Sequence, residues 1–253
     1  MLTADGLATG PLLTRLRQGL AIEQAQEPAV AANVRVALPA DVAWRALQKG
    51  LSMHTVKTLE HARVLRACTA VALGFLTMGR ADTTVHLRPG DIFWDKNMLY
   101  ITLQHEKGRS RRADFAARTV TFPVNPTNLP LLHLLHAWHK CRDSWGHGNL
   151  YFGLKGERAP TSPSAALSAW LILVCQLLDV HPPPGCTWSS HSLRKGGASA
   201  ANAIGVPTAH IRLIGGWQRQ SAVVLDYIDA AVLQSPGAWF FFGAFAPGTP
   251  PRI

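Results

Sequence analysis

Between His191 and Tyr227 the chain reads HSLRKGGASAANAIGVPTAHIRLIGGWQRQSAVVLDY. Its glycine and proline punctuation leaves room for three short helices with tight links and little else. Gly205 is placed to stop the first, because glycine takes the left-handed backbone of a helix stop without steric cost. A second helix fits 207–213, with Thr208 near its start and Gly215-Gly216 near its end. Ser221 is placed to cap a third helix that carries Tyr227. His191 and Arg194 are three residues apart and so share one helix face. A His, an Arg, Trp217 and a Tyr therefore arrive from the ends or faces of three consecutive helices.

Upstream, the pattern is again mostly helical. ADVAWRALQKGL, with Asp41 near its start, predicts one helix. A longer helix is predicted over 55–78, where Leu59, Ala62, Leu65, Cys68, Ala72 and Phe75 recur at helical spacing. It ends at Gly79, and Arg80 emerges just beyond. Segments 98–105 and 115–122 are rich in β-formers and predict a hairpin around the basic, turn-prone EKGRSRRAD. Residues 130–142 predict a helix on which His133, His136 and His139 drift around the axis. Paired metal ligands prefer i, i+4 spacing, so no metal site is expected there. Ser162-Pro163 opens a helix that is apolar around most of its surface. Leu12, Leu13, Leu16 and Leu20 form a helical stripe within 11–24, and an Ala/Glu/Gln/Pro-rich stretch over 25–39 reads as a linker.

Charge points to a partner. Lys and Arg outnumber Asp and Glu by 25 to 15, a formal +10, although apolar residues make up 47% of the chain. Such a balance favours a polyanion, nucleic acid first, with simple solubility as the plainer reading. No apolar run approaches the roughly 20 residues that span a bilayer, and no secretory signal is evident. Cys68, Cys141, Cys175 and Cys186 are widely spaced without a CxxC, which suits reduced thiols in an intracellular protein.

These features together resemble the catalytic half of the tyrosine recombinase (phage integrase) family. The resemblance rests on His191-Ser-Leu-Arg194, Gly205, Gly216-Trp217 and Tyr227 in order, and on GRADTTVHLRPGDI, which is similar to the family's first arginine box around Arg80. The wording HSLRKGGAS, GVP and GGW is most similar to recombinases of eukaryotic mobile elements, the DIRS-type and Crypton groups. Two departures stand out. Trp217 to Tyr227 spans one position more than is usual, and Thr83 stands where the family has an acidic residue, unless Asp82 takes that place.

The resemblance implies an α+β, mainly helical fold with a small antiparallel sheet from 84–122. It implies a remnant of an N-terminal core-binding domain and linker over 1–38 and a catalytic domain over 39–235. Residues 236–253 form a tail whose aromatic run, Trp239 to Phe242, docks either on a neighbouring protomer or on its own domain. It implies site-specific cleavage and rejoining of double-stranded DNA, for integration or excision of a mobile element, by a tetramer on DNA in the nucleus or, in a prokaryote, the cytoplasm. Tyr227 is the implied nucleophile. Arg80 and Arg194 clamp the phosphate, Trp217 donates its N–H, His191 assists proton transfer, and Lys107 is the general acid. Arg109, Arg111, Arg112 and Lys195 are candidate DNA contacts, although a charged loop is often merely solvated. No cofactor and no metal are implied. A DNA-binding protein that keeps only the fold, and a type IB topoisomerase-like nicking-closing enzyme, are the alternatives.

Overall fold

A computed structural model describes residues 34–53, 55–104, 117–126, 128–218 and 221–247. The helix over 11–24, and the hairpin loop with Lys107, Arg109, Arg111 and Arg112, lie outside the described residues.

The centre is α2 (Leu59–Thr77), buried on every side from Leu65 to Thr77. Small and apolar residues all round its axis let other helices approach from several directions. It packs against α1 (Ala40–Leu51), α4 (Leu129–Trp145), α5 (Pro163–Leu178) and α6 (Ser190–Ala203). The start predicted at 55 moves to Leu59, because Thr58 caps the helix by accepting the His61 N–H at 3.2 Å. The left-handed stop is Met78, at φ 48°, rather than Gly79. A short helix, α3 (Ala81–Val85), follows at once and has Arg80 as its N-cap residue.

The small sheet is antiparallel, as expected. It consists of β2 (Ile92–Trp94), β3 (Met98–Leu103) and β4 (Arg118–Pro123), with Ile101 opposite both Ile92 and Val120. Leu99, Ile101 and Leu103 alternate with more exposed neighbours, so one face seals the helical core. A second pairing is not visible in the sequence pattern. Strand β1 (Val34–Arg35) runs parallel to β5 (Cys186–Thr187), with Arg35 opposite Thr187. The Leu38 N–H then donates to the Ser192 carbonyl at 3.0 Å. Part of the stretch read as linker is therefore fastened along the start of α6.

The aromatic run forms α8 (Pro236–Phe242), capped by Ser235. Trp239 to Phe242 are all buried in the chain's own core. Phe240 meets Trp44 at 3.9 Å between ring centres, and Phe241 meets Phe75 at 5.1 Å. Within the single chain, this part of the tail packs on its own domain. The Gly237 N–H donates to the Asp41 carboxylate at 2.9 Å, which ties α8 to the start of α1.

Candidate active site

Helix α6 carries three of the predicted residues, His191, Arg194 and Lys195. Its first turn is held by Ser192, whose hydroxyl accepts the Ser189 N–H at 3.0 Å, and by the Ser190 N–H donating to Ser168 on α5 at 2.9 Å. A Cβ at Gly196 would lie 2.2 Å from the Leu38 carbonyl oxygen, and one at Gly197 only 2.4 Å from that of Phe75. The two glycines therefore let α6 touch backbone on two sides. From this helix His191 and Arg194 enter a cleft of about 400 Å³ that Gly79, Arg80 and Ser162 also line. Their spacing of three does place them together.

Arg194 is only 2% exposed. One of its Nη atoms donates to the carbonyls of Met78 and, at 2.8 Å, of Gly215. The guanidinium carbon lies 3.7 Å from the Trp217 ring centre and 5.1 Å from that of Tyr227. The two rings meet edge to face at 5.3 Å. Both aromatics are placed by local chemistry. Helix α7 (Thr208–Gly215) stops at left-handed Gly216, and the Trp217 N–H returns to the Arg212 carbonyl at 3.0 Å. A Cβ at Gly215 would fall 1.8 Å from the Trp217 ring, so only glycine leaves room for the indole there. Tyr227 closes a 3₁₀ turn (Ala222–Tyr227), not the α-helix predicted, with Ser221 accepting the Val223 N–H at 3.2 Å.

Several buried polar atoms at the centre carry hydrogen-bonding capacity that the surrounding groups leave unused. The Nε and second Nη of Arg194, and the indole N–H of Trp217, are buried without a full hydrogen bond among the described residues. Buried donors of this kind are costly to leave unmet, and a set of N–H groups around a cationic cleft suits an oxyanion. Burial, then Arg80, lower the Arg194 pKa to about 10, against the opposing pull of Tyr227, so it stays charged at neutral pH. His191, exposed as a whole, is held below its ordinary 6.5, first by partial desolvation at the cleft rim and then by Arg35, Arg194 and Arg80. A neutral imidazole beside a phenol can accept its proton.

Solved structures share this arrangement of helices and sheet. XerH site-specific recombinase bound to difH substrate in a pre-cleavage complex matches with a TM-score of 0.54 and 14% identity, over 77% of this chain and 49% of that one. XerA recombinase matches at 0.54 and 17%, over 81% and 62%. A lambda integrase dimer bound to a COC′ core site matches at 0.51 and 16%, over 85% and 56%. The fold is that of a tyrosine recombinase catalytic domain. The likeness concerns fold, and the chain spans about half to three-fifths of the length of these chains. No family model matches the sequence, and no curated protein matches it.

Within this recombinase fold, Arg80, His191, Arg194, Trp217 and Tyr227 converge. Lys195 takes another direction. It pairs with Asp229 at 3.7 Å beside a second cleft of about 260 Å³, shared by Arg35, His191, Asp226 and Tyr227. Asp82 does not turn to the arginines, because its carboxylate meets His86 Nδ1 at 3.0 Å. Sequence reasoning missed three residues. Arg35 joins the cationic site through the β1–β5 pairing, for which no local signal exists. Arg118 of β4 donates to the Leu213 and Ile214 carbonyls at 2.6 and 3.0 Å, capping α7 just before Trp217. Ser199, fully buried on α6, bonds to the backbone around Tyr227. His133, His136 and His139 lie exposed along α4. Among the described residues no group of three His, Cys, Asp or Glu could hold a metal ion, and no helix is long and apolar enough to cross a membrane.

Proposed function

We propose that this chain is a site-specific DNA recombinase that cuts and rejoins double-stranded DNA through a 3′-phosphotyrosine link, integrating or excising a mobile element of the DIRS or Crypton kind. The observation that carries this reading is the buried Arg194, stacked on Trp217 beside the Tyr227 phenol, with Arg80 and His191 on the same cleft. A phosphodiester is already anionic and gains charge under attack, so catalysis needs positioning and fixed positive charge. Two guanidinium forks and an indole N–H offer both.

The steps follow from the groups present. Arg80 and Arg194 hold the nonbridging oxygens, and Trp217 donates a further hydrogen bond. His191 takes the phenolic proton as Tyr227 Oη bonds to phosphorus. The bond from phosphorus to the 5′ oxygen breaks, and Lys107 gives that oxygen a proton. A 5′-hydroxyl from another strand then attacks the phosphotyrosine and gives its proton to Lys107, while His191 returns its proton to the departing Tyr227 oxygen, so the phosphodiester is conserved and both groups are reset. Neither ATP nor a metal enters this balance. Arg109, Arg111, Arg112 and Lys195 contact DNA phosphates outside the cleft. Exchange between duplexes requires further copies of the chain, a tetramer on the DNA, in the nucleus of a eukaryote or otherwise in the cytoplasm.

The test is covalent trapping in EDTA with nicked duplexes from a candidate element end. Wild type is expected to give a detergent-stable protein–DNA adduct and Tyr227→Phe none. Equal adducts would remove Tyr227 as nucleophile. Binding without any adduct would leave a DNA-binding module with a recombinase fold, and adducts that only reseal the same duplex would indicate a nicking-closing enzyme.

A further inference from the structure

We infer that Ser199 is a positioning residue for the Tyr227 nucleophile, an inference that rests on the recombinase reading above. Its hydroxyl donates to the Tyr227 carbonyl at 3.1 Å and accepts the Asp229 N–H at 2.8 Å. One buried oxygen thus bridges the backbone on both sides of Ile228. Buried hydroxyls inside helices commonly turn back to the carbonyl four residues earlier. Thr69 and Thr77 of α2 do this, bonding to Leu65 and Leu73 at 2.8 Å each. Ser199 instead uses both of its hydrogen-bonding capacities on a different segment.

The Tyr227 ring also packs on Trp217 and Arg194, but the backbone of that segment has few other anchors. Of the turn Ala222–Tyr227, only Val224 is buried. Lys195, one helical turn before Ser199 on the same face, pairs with Asp229. The two side chains form a clasp on residues 227–229. The clasp belongs to the helix that carries His191 and Arg194. Arg194 and Ser199 are five residues apart, about 7.5 Å of helix rise. The distance from the phosphate-binding guanidinium to the nucleophile's backbone is therefore set by one rigid element. Without the hydroxyl, the carbonyl of Tyr227 and the N–H of Asp229 lose their partner, and only the ring contacts with Trp217 and Arg194 and the Lys195–Asp229 pair resist a shift of the phenol from in-line attack.

The test compares Ser199→Ala, Ser199→Thr and wild type in single-turnover trapping at saturating DNA. Ser199→Ala is expected to lower the rate of adduct formation by about 10- to 100-fold, since displacements near 1 Å cost this much in rate. DNA affinity and the final adduct yield should hold, and Ser199→Thr, which keeps the hydroxyl, should restore most of the rate. A 5′-bridging phosphorothiolate, whose sulfur leaves without a proton, should not rescue Ser199→Ala, because the defect lies with the nucleophile. A wild-type rate in Ser199→Ala would overturn the inference, and so would a reduced yield at unchanged rate, which marks misfolding alone. A readout independent of activity is the fluorine spectrum of protein labelled with 3-fluorotyrosine. The chain has three tyrosines, so the Tyr227 line can be assigned by substitution. It should broaden or split in Ser199→Ala while the other two stay put, and an unchanged line would count against the clasp. No adduct from wild type would overturn the recombinase reading, and this inference with it.

Discussion

Arg194 stacks on Trp217, with its guanidinium carbon 3.7 Å from the centre of the ring. This contact gives Trp217 two separable roles. The ring covers a desolvated cation, and the buried indole N–H has no hydrogen-bond partner among the described residues. Trp217→Phe is expected to fold normally and lower the adduct rate by about 100-fold, the usual effect of losing one oxyanion donor. Trp217→Ala should also lose about 3–5 kcal/mol of stability by opening a cavity. Denaturant unfolding and single-turnover rates separate the two. Equal destabilisation by both variants would refute the division.

His191 sets a pH dependence. Its folded pKa lies below its ordinary 6.5, through partial desolvation on the rim of the cleft and then the neighbouring positive charge of Arg35, Arg194 and Arg80, although the residue as a whole is exposed. Between those two values the unfolded chain holds a proton that the folded chain does not, so stability rises with pH across that window. Below the folded value both states are protonated and the penalty is full. Above 6.5 it is gone. In the DNA-free protein, the His191 ring signal should titrate below 6.5, and Arg35→Ala or Arg80→Ala should move it upward. A midpoint above 6.5 would contradict the crowding of positive charge described for the cleft.

Arg35 should act through DNA phosphate and not through stability. It is exposed and sits on a two-residue strand beside the second cleft. Arg35→Ala is expected to weaken DNA binding evenly across sequences and to reduce the slope of log affinity against log salt by about 1. Fluorescence anisotropy at several salt concentrations measures it. An unchanged slope would place Arg35 outside the interface.

Away from the site, Glu157 joins Arg63 and Arg66. Burial works to raise its carboxyl pKa, but the two arginines outweigh that and hold it below the ordinary 4.5. The stabilisation is full above that value and fades as pH falls through the lowered one. Glu157→Gln leaves the mostly buried Arg66 guanidinium without its counterion. Solvent reaches the pair, so the expected loss is about 1–2 kcal/mol at pH 7. Wild type and variant should converge in acid, and urea midpoints at both pH values check it.

Local signals carried much of this architecture into plain view. Periodicity exposed α2, β-formers exposed β3 and β4, and glycine stops marked α6 and α7. The spacing of His191 and Arg194 put them on one face, where the structure has them. Features built from distant contacts were not legible. Arg35 reaches the site because Val34 pairs with Cys186, and nothing near either residue announces it. Met78, not Gly79, takes the left-handed stop, with its carbonyl accepting from Arg194 across the core. Ser199 reads as one more small residue in GGASAA until its hydroxyl is seen on Tyr227. The Ala222–Tyr227 segment carries a cap signal, but a cap does not distinguish a 3₁₀ turn from an α-helix.

The bond from Arg194 to the Met78 carbonyl has a mechanical corollary. Met78 stands two residues before Arg80, at the corner where α2 gives way to α3. The guanidinium that would grip one side of a phosphate is also the strut that fixes the corner bearing the other grip. The pair therefore works as a caliper with its opening set from within. Removing the strut slackens both jaws, so Arg80→Ala should cost far less in an Arg194→Ala background than alone. Full additivity in a double-mutant cycle of adduct rates would mean the jaws are set separately.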